Sequence, residues 1–221
     1  MDQFIPPSFL FEYSLSIPRR DALPGSSRKL PTLLAADTLF VPARLNATPA
    51  PRIRMAWNPA GVAVEVRVQG RSMPIAGRWS DPVSSDLLRL FFNTRHRSDV
   101  QRATSFCSTL VILPVDEESE GAPRVEFRNM LQTAGGESGK GGTVFRTRVD
   151  LTDDGYEVGV WIPGSMLAGY SEIEESGVLG FSVLIEDSEL GLIPIDVGGD
   201  FPTQWNPSLW IPLQLAAESS E

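Results

Sequence analysis

The feature that most constrains this chain is a hydrophobic period of two. Val62, Val64, Val66 and Val68 alternate with Ala63, Glu65 and Arg67, and Ile53 to Trp57 precede them across Asn58-Pro59-Ala60-Gly61. Successive side chains of a strand point to opposite faces, so the valines share one face while Glu65 and Arg67 share the other. The pair reads as a hairpin with one face buried and the other polar. The same alternation carries Phe9, Phe11, Tyr13, Leu15 and Ile17 up to the stop at Pro18. Further strands are expected at Leu87–Asn93, Phe106–Leu113, Val125–Met130, Val144–Val149, Tyr156–Ile162, Leu179–Ile185 and Leu209–Leu215. In Tyr156–Ile162 the buried set is Tyr156, Val158, Val160 and Ile162, with Glu157 and Trp161 opposite, and Asp153-Asp154-Gly155 supplies the turn before it. A single short helical turn is expected over Ser165-Met166-Leu167. About ten short strands without long helices between them point to an all-β fold. The expectation is one antiparallel β-sandwich, immunoglobulin-like or jelly-roll-like, rather than a parallel α/β sheet.

The 221 residues suit a single domain over 1–221. Residues 18–52, rich in Pro and Ser, read as a long connection with a short strand at Leu39–Val41, and the glycine-rich stretch 134–142 reads as a flexible loop. Glu218 to Glu221 read as a frayed tail. One histidine and one cysteine exclude a His/Cys zinc site and a disulfide. The net charge of −9 is unevenly spread: residues 1–110 hold 14 Lys+Arg against 8 Asp+Glu, and residues 111–221 hold 5 against 20. Nearly all the positive charge is arginine, which pairs bidentately with carboxylates, so the two halves are expected to fold onto one another. An acidic chain lacks the electrostatic footprint of a nucleic-acid binder. The proline-broken start Met1-Asp2-Gln3-Phe4-Ile5-Pro6-Pro7 lacks the basic and apolar regions of a signal peptide, and no apolar run is long enough to span a bilayer. A cytoplasmic protein without membrane partners is the expectation.

Chemistry-bearing motifs are few. Around Gly139-Lys140, Ala134 and Gly141 stand where a phosphate loop needs glycine and a metal-binding hydroxyl, and no helix follows to supply a dipole. A serine or cysteine nucleophile would need His96, which lies in Arg95-His96-Arg97 and reads as a solvated loop residue. Cys107 opens an apolar strand and reads as an inert buried thiol. A glycosidase pair of Asp81 or Asp86 with Glu186 or Asp187 stays open, because separation across a sheet cannot be read from the chain. The five tryptophans are more informative. Trp57 and Trp210 fall in strands and read as core, whereas Trp79 and Trp205 fall in polar loops bounded by Pro82 and Pro207. An indole face covers the C–H side of a pyranose while neighbouring Arg, Asp, Asn and Gln take its hydroxyls.

Three segments taken in order resemble family 9 carbohydrate-binding modules and the broader DOMON-like β-sandwich group. The hairpin Ala56-Trp57-Asn58-Pro59-Ala60-Gly61-Val62-Ala63-Val64-Glu65-Val66 comes first. Ser85-Asp86-Leu87-Leu88-Arg89-Leu90-Phe91-Phe92-Asn93 then looks like that group's D-S-V-E-I-F-I-D strand, with Arg89 and Asn93 at positions usually acidic. Gly155-Tyr156-Glu157-Val158-Gly159-Val160-Trp161-Ile162-Pro163 with Leu167 looks like its G-x-x-x-E-x-A-I-P-x-x-x-L strand. The match spans about 53–215. The resemblance implies a non-catalytic, stand-alone bacterial module that binds a saccharide or another small polar ligand without a cofactor; structural calcium is the one ion it leaves open. Trp79 and Trp205 would stack on the ligand, and Asp86, Arg95 and Asn206 would hydrogen-bond it. Two other readings stay open: a protein-interaction module using Arg71, Arg78, Arg95, Arg97 and Arg102, and the glycosidase named above.

Overall fold

The valine run forms the centre of one of two packed sheets. A computed structural model describes residues 13–25, 30–39, 50–131, 145–195 and 201–217. The smaller sheet runs in the order β2 (Arg52–Asn58), β3 (Gly61–Gln69), β8 (Gly155–Pro163) and β7 (Arg146–Thr152). Within it Val62, Val64, Val66 and Val68 stand beside Ile162, Val160, Val158 and Tyr156. The larger sheet runs β1 (Leu15–Ile17), β11 (Ile211–Leu215), β9 (Val178–Asp187), β4 (Leu87–Asn93), β5 (Cys107–Leu113) and β6 (Arg124–Asn129). A four-residue strand, β10 (Gly191–Pro194), completes β9's edge beyond β11. All pairings within the sheets are antiparallel except β1 with β11, which is parallel.

The inner faces meet in one apolar layer. Val64 and Val66 of β3, Val160 of β8, Leu90 and Phe92 of β4, Leu110 of β5 and Phe181 and Val183 of β9 are all buried there. Phe92 and Phe181 pack with ring centroids 5.4 Å apart at 48°, a tilted aromatic pair. This is the sandwich that the alternation anticipates.

The outer faces depart from it. The polar side of β3 does not face water: Glu65 is 1% exposed. The connection after Pro18 folds back over the smaller sheet, laying Leu30 and Leu33 on Ala56, Ala63 and Trp161. Beneath it Glu65 accepts hydrogen bonds from Arg54 at 2.6 Å, from Arg148 at 2.5 Å and from the Leu33 backbone N–H at 3.1 Å. Arg148 also donates to Glu157 at 2.8 Å. A second small apolar cluster lies outside the larger sheet, where Trp210 covers Phe91, Cys107 and Leu184.

The charge asymmetry resolves as pairing between the halves. Arg19 meets Glu174 at 3.2 Å, Arg52 meets Glu157 at 3.5 Å, Arg89 meets Glu186 at 2.5 Å and Arg95 meets Glu172 at 2.6 Å.

Helical content exceeds the single expected turn. Besides a 3-10 turn at Gly164–Met166 there is a four-residue helix α1 (Ile173–Ser176), ended by left-handed Gly177, and several other 3-10 turns. Thr38 makes one bridge to Arg54, just before the short strand expected at Leu39–Val41, of which residues 40 and 41 lie outside the described residues. Phe9, Phe11, the glycine loop 134–142 and the tail 218–221 lie outside the described residues. Among the described residues no helix is long and apolar enough to cross a membrane.

Removing Glu65 would leave the Arg54 guanidinium without a carboxylate, the Leu33 amide without its acceptor, and Arg148 with Glu157 and Asp150 alone. Glu65→Ala is expected to lower unfolding free energy by about 3–5 kcal/mol in a urea melt, whereas a loss under about 1 kcal/mol would fit a solvated surface pair instead.

Candidate functional site

The two ends of β4 separate the residues singled out from sequence. Asp86 precedes the strand and Arg95 follows it, and seven residues at about 3.3 Å each put roughly 20 Å between them. They belong to opposite ends of the sandwich.

Asp86 is structural. It is fully buried and accepts bonds from Arg71 at 3.0 and 3.1 Å and from the backbone N–H groups of Ala76 and Ser188, both at 2.7 Å. Asp187 pairs with the Arg71 Nη1 that Asp86 also meets. This corrects the expectation that Asp86 hydrogen-bonds a ligand, because donors fill both of its oxygens inside the protein. It also closes the proposed glycosidase pairing of Asp86 with Asp187, since both carboxylates share one guanidinium. Glu186 is engaged by Arg89.

Trp79 lies near Asp86, in the loop leading to β4. That loop is held by the Ser85 hydroxyl, which accepts from Arg78 N–H at 2.8 Å and donates to the Asp81 carbonyl at 2.7 Å. The Arg124 guanidinium carbon sits 4.5 Å from the Trp79 ring centroid, so a cation already covers one face of the half-buried indole. Trp205 lies in the loop before β11 and is 67% exposed. Next to it, the Asn206 side-chain oxygen caps the turn Pro207–Leu209, accepting from the Ser208 backbone N–H at 3.1 Å and hydroxyl at 2.7 Å. Among the described residues no ring contact pairs Trp79 with Trp205.

The expected arginine patch is not a bare positive surface. Arg71 is buried, Arg78 pairs with Glu117 at 2.7 Å, and Arg97 pairs with Asp99 at 2.9 Å. Arg71 and Arg78 precede β4, whereas Arg95, Arg97 and Arg102 follow it.

A cleft of about 520 Å³ opens instead on the outer side of the larger sheet, at the end where β4 finishes and β9 begins. Segments 96–98 and 208–214 form its sides, with Tyr13, Ser14 and Val178. Trp210 lies beneath it, 2% exposed, set by an indole N–H bond to the Thr203 carbonyl at 2.7 Å and packed 5.7 Å from the Phe91 ring, while the partly exposed Tyr13, Val178 and Leu209 supply apolar lining. Hydroxyls of Ser14, Ser98 and Ser208, the Gln214 amide, His96 and Arg97 supply polar groups. Arg95 is adjacent in sequence to one side, and Trp205 and Asn206 lead into the other. None of the five expected site residues lines the cleft: Arg95 stacks on the Phe106 ring at 4.0 Å and pairs with Glu172, Asn206 caps its own turn, Trp205 is near only in sequence, and Trp79 and Asp86 lie before β4.

His96 is not the solvated residue expected. Its Nδ1 is buried without a hydrogen-bond partner, and a Cβ added at Gly180 of β9 would come within 2.7 Å of that atom. Only a glycine leaves the imbedded ring this space. Burial pushes the imidazole pKa below its ordinary value, and the flanking Arg95 and Arg97 carry the same charge as the protonated form. Sequence reasoning missed the cleft because its walls come from four separated segments that share no motif.

A two-sheet β-sandwich with a lateral, polar-lined cleft is the class these features define. The chain is similar to two solved structures of a family 9 carbohydrate-binding module from Caldicellulosiruptor kristjanssonii. One, in complex with glucose, matches at 17% identity and a TM-score of 0.59, covering 96% of this chain and 98% of that one. The other, in complex with cellotriose, matches at 18% identity and a TM-score of 0.51, covering 79% of this chain and 80% of that one. The likeness places the chain in the β-sandwich fold of those modules. No family model matches the chain, and no curated protein matches it significantly.

As the chain's one histidine, His96 gives an isolated NMR signal. Its ring protons are expected to titrate with a midpoint below the ordinary 6.5. The sign follows: the unfolded chain binds this proton first, so stability present above pH 6.5 falls as pH drops towards the folded midpoint. Thermal melts from pH 7 to pH 5 should therefore fall more steeply in the wild type than in His96→Gln. Equal slopes would mean that the ring is solvated.

Proposed function

We propose that this chain is a non-catalytic saccharide-binding module and that the ligand occupies the cleft beside Trp210. The observation that carries the reading is the cleft itself. Its volume falls in the range of small-ligand sites, and the partly exposed Tyr13, Val178 and Leu209 line it together with hydroxyl, amide and imidazole groups, the mixture that sugar recognition uses. Similarity of fold to modules solved with glucose and cellotriose supports the same ligand class. Hydrolysis is the weaker reading, because none of the described residues lining the cleft is Asp or Glu, while retaining and inverting glycosidases work through carboxylate pairs. The protein-interaction reading loses its main support once Arg71, Arg78, Arg95 and Arg97 are ion-paired.

In this reading Trp205 closes over the ligand from the loop before β11, Gln214 and Ser208 hydrogen-bond its hydroxyls, and Arg95 and Asn206 hold the rims of the site. Trp79 and Asp86 serve the opposite end of the fold.

A glycan array with the full chain, followed by calorimetry on the best hit, tests it. Trp205→Ala and Gln214→Ala should each weaken binding about tenfold or more, equivalent to about 1.4 kcal/mol, and Trp79→Ala should leave affinity within about twofold. An array without any hit rejects saccharide binding. Loss of binding in Trp79→Ala alone would move the site to the other end of the sandwich.

A further inference from the structure

At the end of the sandwich opposite the cleft, three segments converge on one buried guanidinium. The Arg71 side chain is 2% exposed and those of Asp86 and Asp187 are fully buried. Arg71 donates to both Asp86 oxygens at 3.0 and 3.1 Å, to the Pro74 carbonyl at 3.1 Å and, at 3.4 Å, to the Met73 carbonyl, and it is ion-paired with Asp187. Two carboxylates and two carbonyls thus surround a single positive charge.

These oxygens do not depend on Arg71 alone for their placement. Asp86 is also held by the N–H groups of Ala76 and Ser188, both at 2.7 Å. Asp187 accepts from the N–H groups of Glu189 at 3.0 Å and Leu190 at 2.8 Å. The cage therefore has its own scaffold.

Two buried carboxyl groups therefore face one guanidinium. A separate side chain points to the same spot. Tyr156 is fully buried, its hydroxyl has no hydrogen-bond partner, and its ring lies 6.0 Å from the guanidinium carbon. Burial and the charges of Asp187 and Asp86 push its ionisation above the ordinary range, so it remains a neutral oxygen.

Carboxylates, backbone carbonyls and a neutral hydroxyl are the donor set of hard divalent cations, and calcium takes six to eight such oxygens. We infer that Arg71 is a built-in cation in an oxygen cage of calcium-binding chemistry, so that this fold is set without a metal ion and becomes a calcium site when the guanidinium is removed. Among the described residues no group of three or more His, Cys, Asp or Glu is placed to hold a metal ion. The calcium that the family resemblance leaves open thus does not fit at this cluster while Arg71 fills it. The segment after β3, the start of β4 and the turn after β9 are locked by a covalently attached charge.

Thermal melts of the full chain in EDTA and in millimolar calcium test this. The wild type should melt at the same temperature in both. Arg71→Ser should melt about 10 °C lower in EDTA, since breaking a buried pair leaves uncompensated charge, and should regain most of that loss in calcium but not in sodium. Adding Asp187→Asn to Arg71→Ser should abolish the recovery. Where Arg71→Ser does not fold in EDTA, its refolding yield from urea in calcium against EDTA reads the same property. A wild type destabilised by EDTA would overturn the inference, as would an Arg71→Ser protein that calcium neither stabilises nor refolds.

Discussion

Everything in this structure is arranged around the inner face of β3. Val62, Val64, Val66 and Val68 give a stiff, β-branched surface, against which β8 pairs on one edge and β2 on the other, and onto which the larger sheet packs. Burial of that apolar layer supplies the main driving force. It also sets a constraint. The outer face of the same strands is covered by the chain after Pro18, so polar side chains there must find partners inside the protein. Glu65, Arg54, Arg148 and Glu157 meet that need as a connected group, tied to the covering segment through the Leu33 backbone.

The preference for arginine over lysine has the same origin. A guanidinium can serve several oxygens at once from a fixed plane. Arg148 reaches Glu65 and Glu157 from one side chain, and Arg71 reaches two carboxylates and two carbonyls. Several pairs join an arginine of the positive first half to a carboxylate of the negative second half, as Arg52 to Glu157 and Arg89 to Glu186, while others such as Arg71 with Asp86 lie within one half. The charge division that could suggest a surface for an anionic partner is therefore largely internal to the fold.

Strand positions were legible because period-two alternation is local. Leu87–Asn93 coincides with β4, and the inward set of Tyr156, Val158, Val160 and Ile162 is the observed one. Features set by distant contacts were not legible. Strand β10 has four residues bounded by Gly191 and Pro194, too short for a period. Helix α1 is a single turn without an amphipathic pattern. Asp86 looked like a ligand-binding loop carboxylate because nothing local shows that Arg71, fifteen residues earlier, and the Ser188 amide, about a hundred later, will enclose it. His96 looked solvated because Gly180, which makes room for its ring, is on another strand. The tryptophan argument reached the loop before β11 but could not reveal a cleft formed by Tyr13, 96–98 and residues after Asn206, with Trp210 buried beneath it.

The central claim, a saccharide site on the outer side of the larger sheet, is most directly tested by following backbone amide resonances while cellotriose is added. The account predicts saturable shifts concentrated at 96–98 and 208–214, on both walls of the cleft, with little change around Trp79 and Arg124. Shifts confined to the Trp79 loop, or none at millimolar sugar, would contradict it.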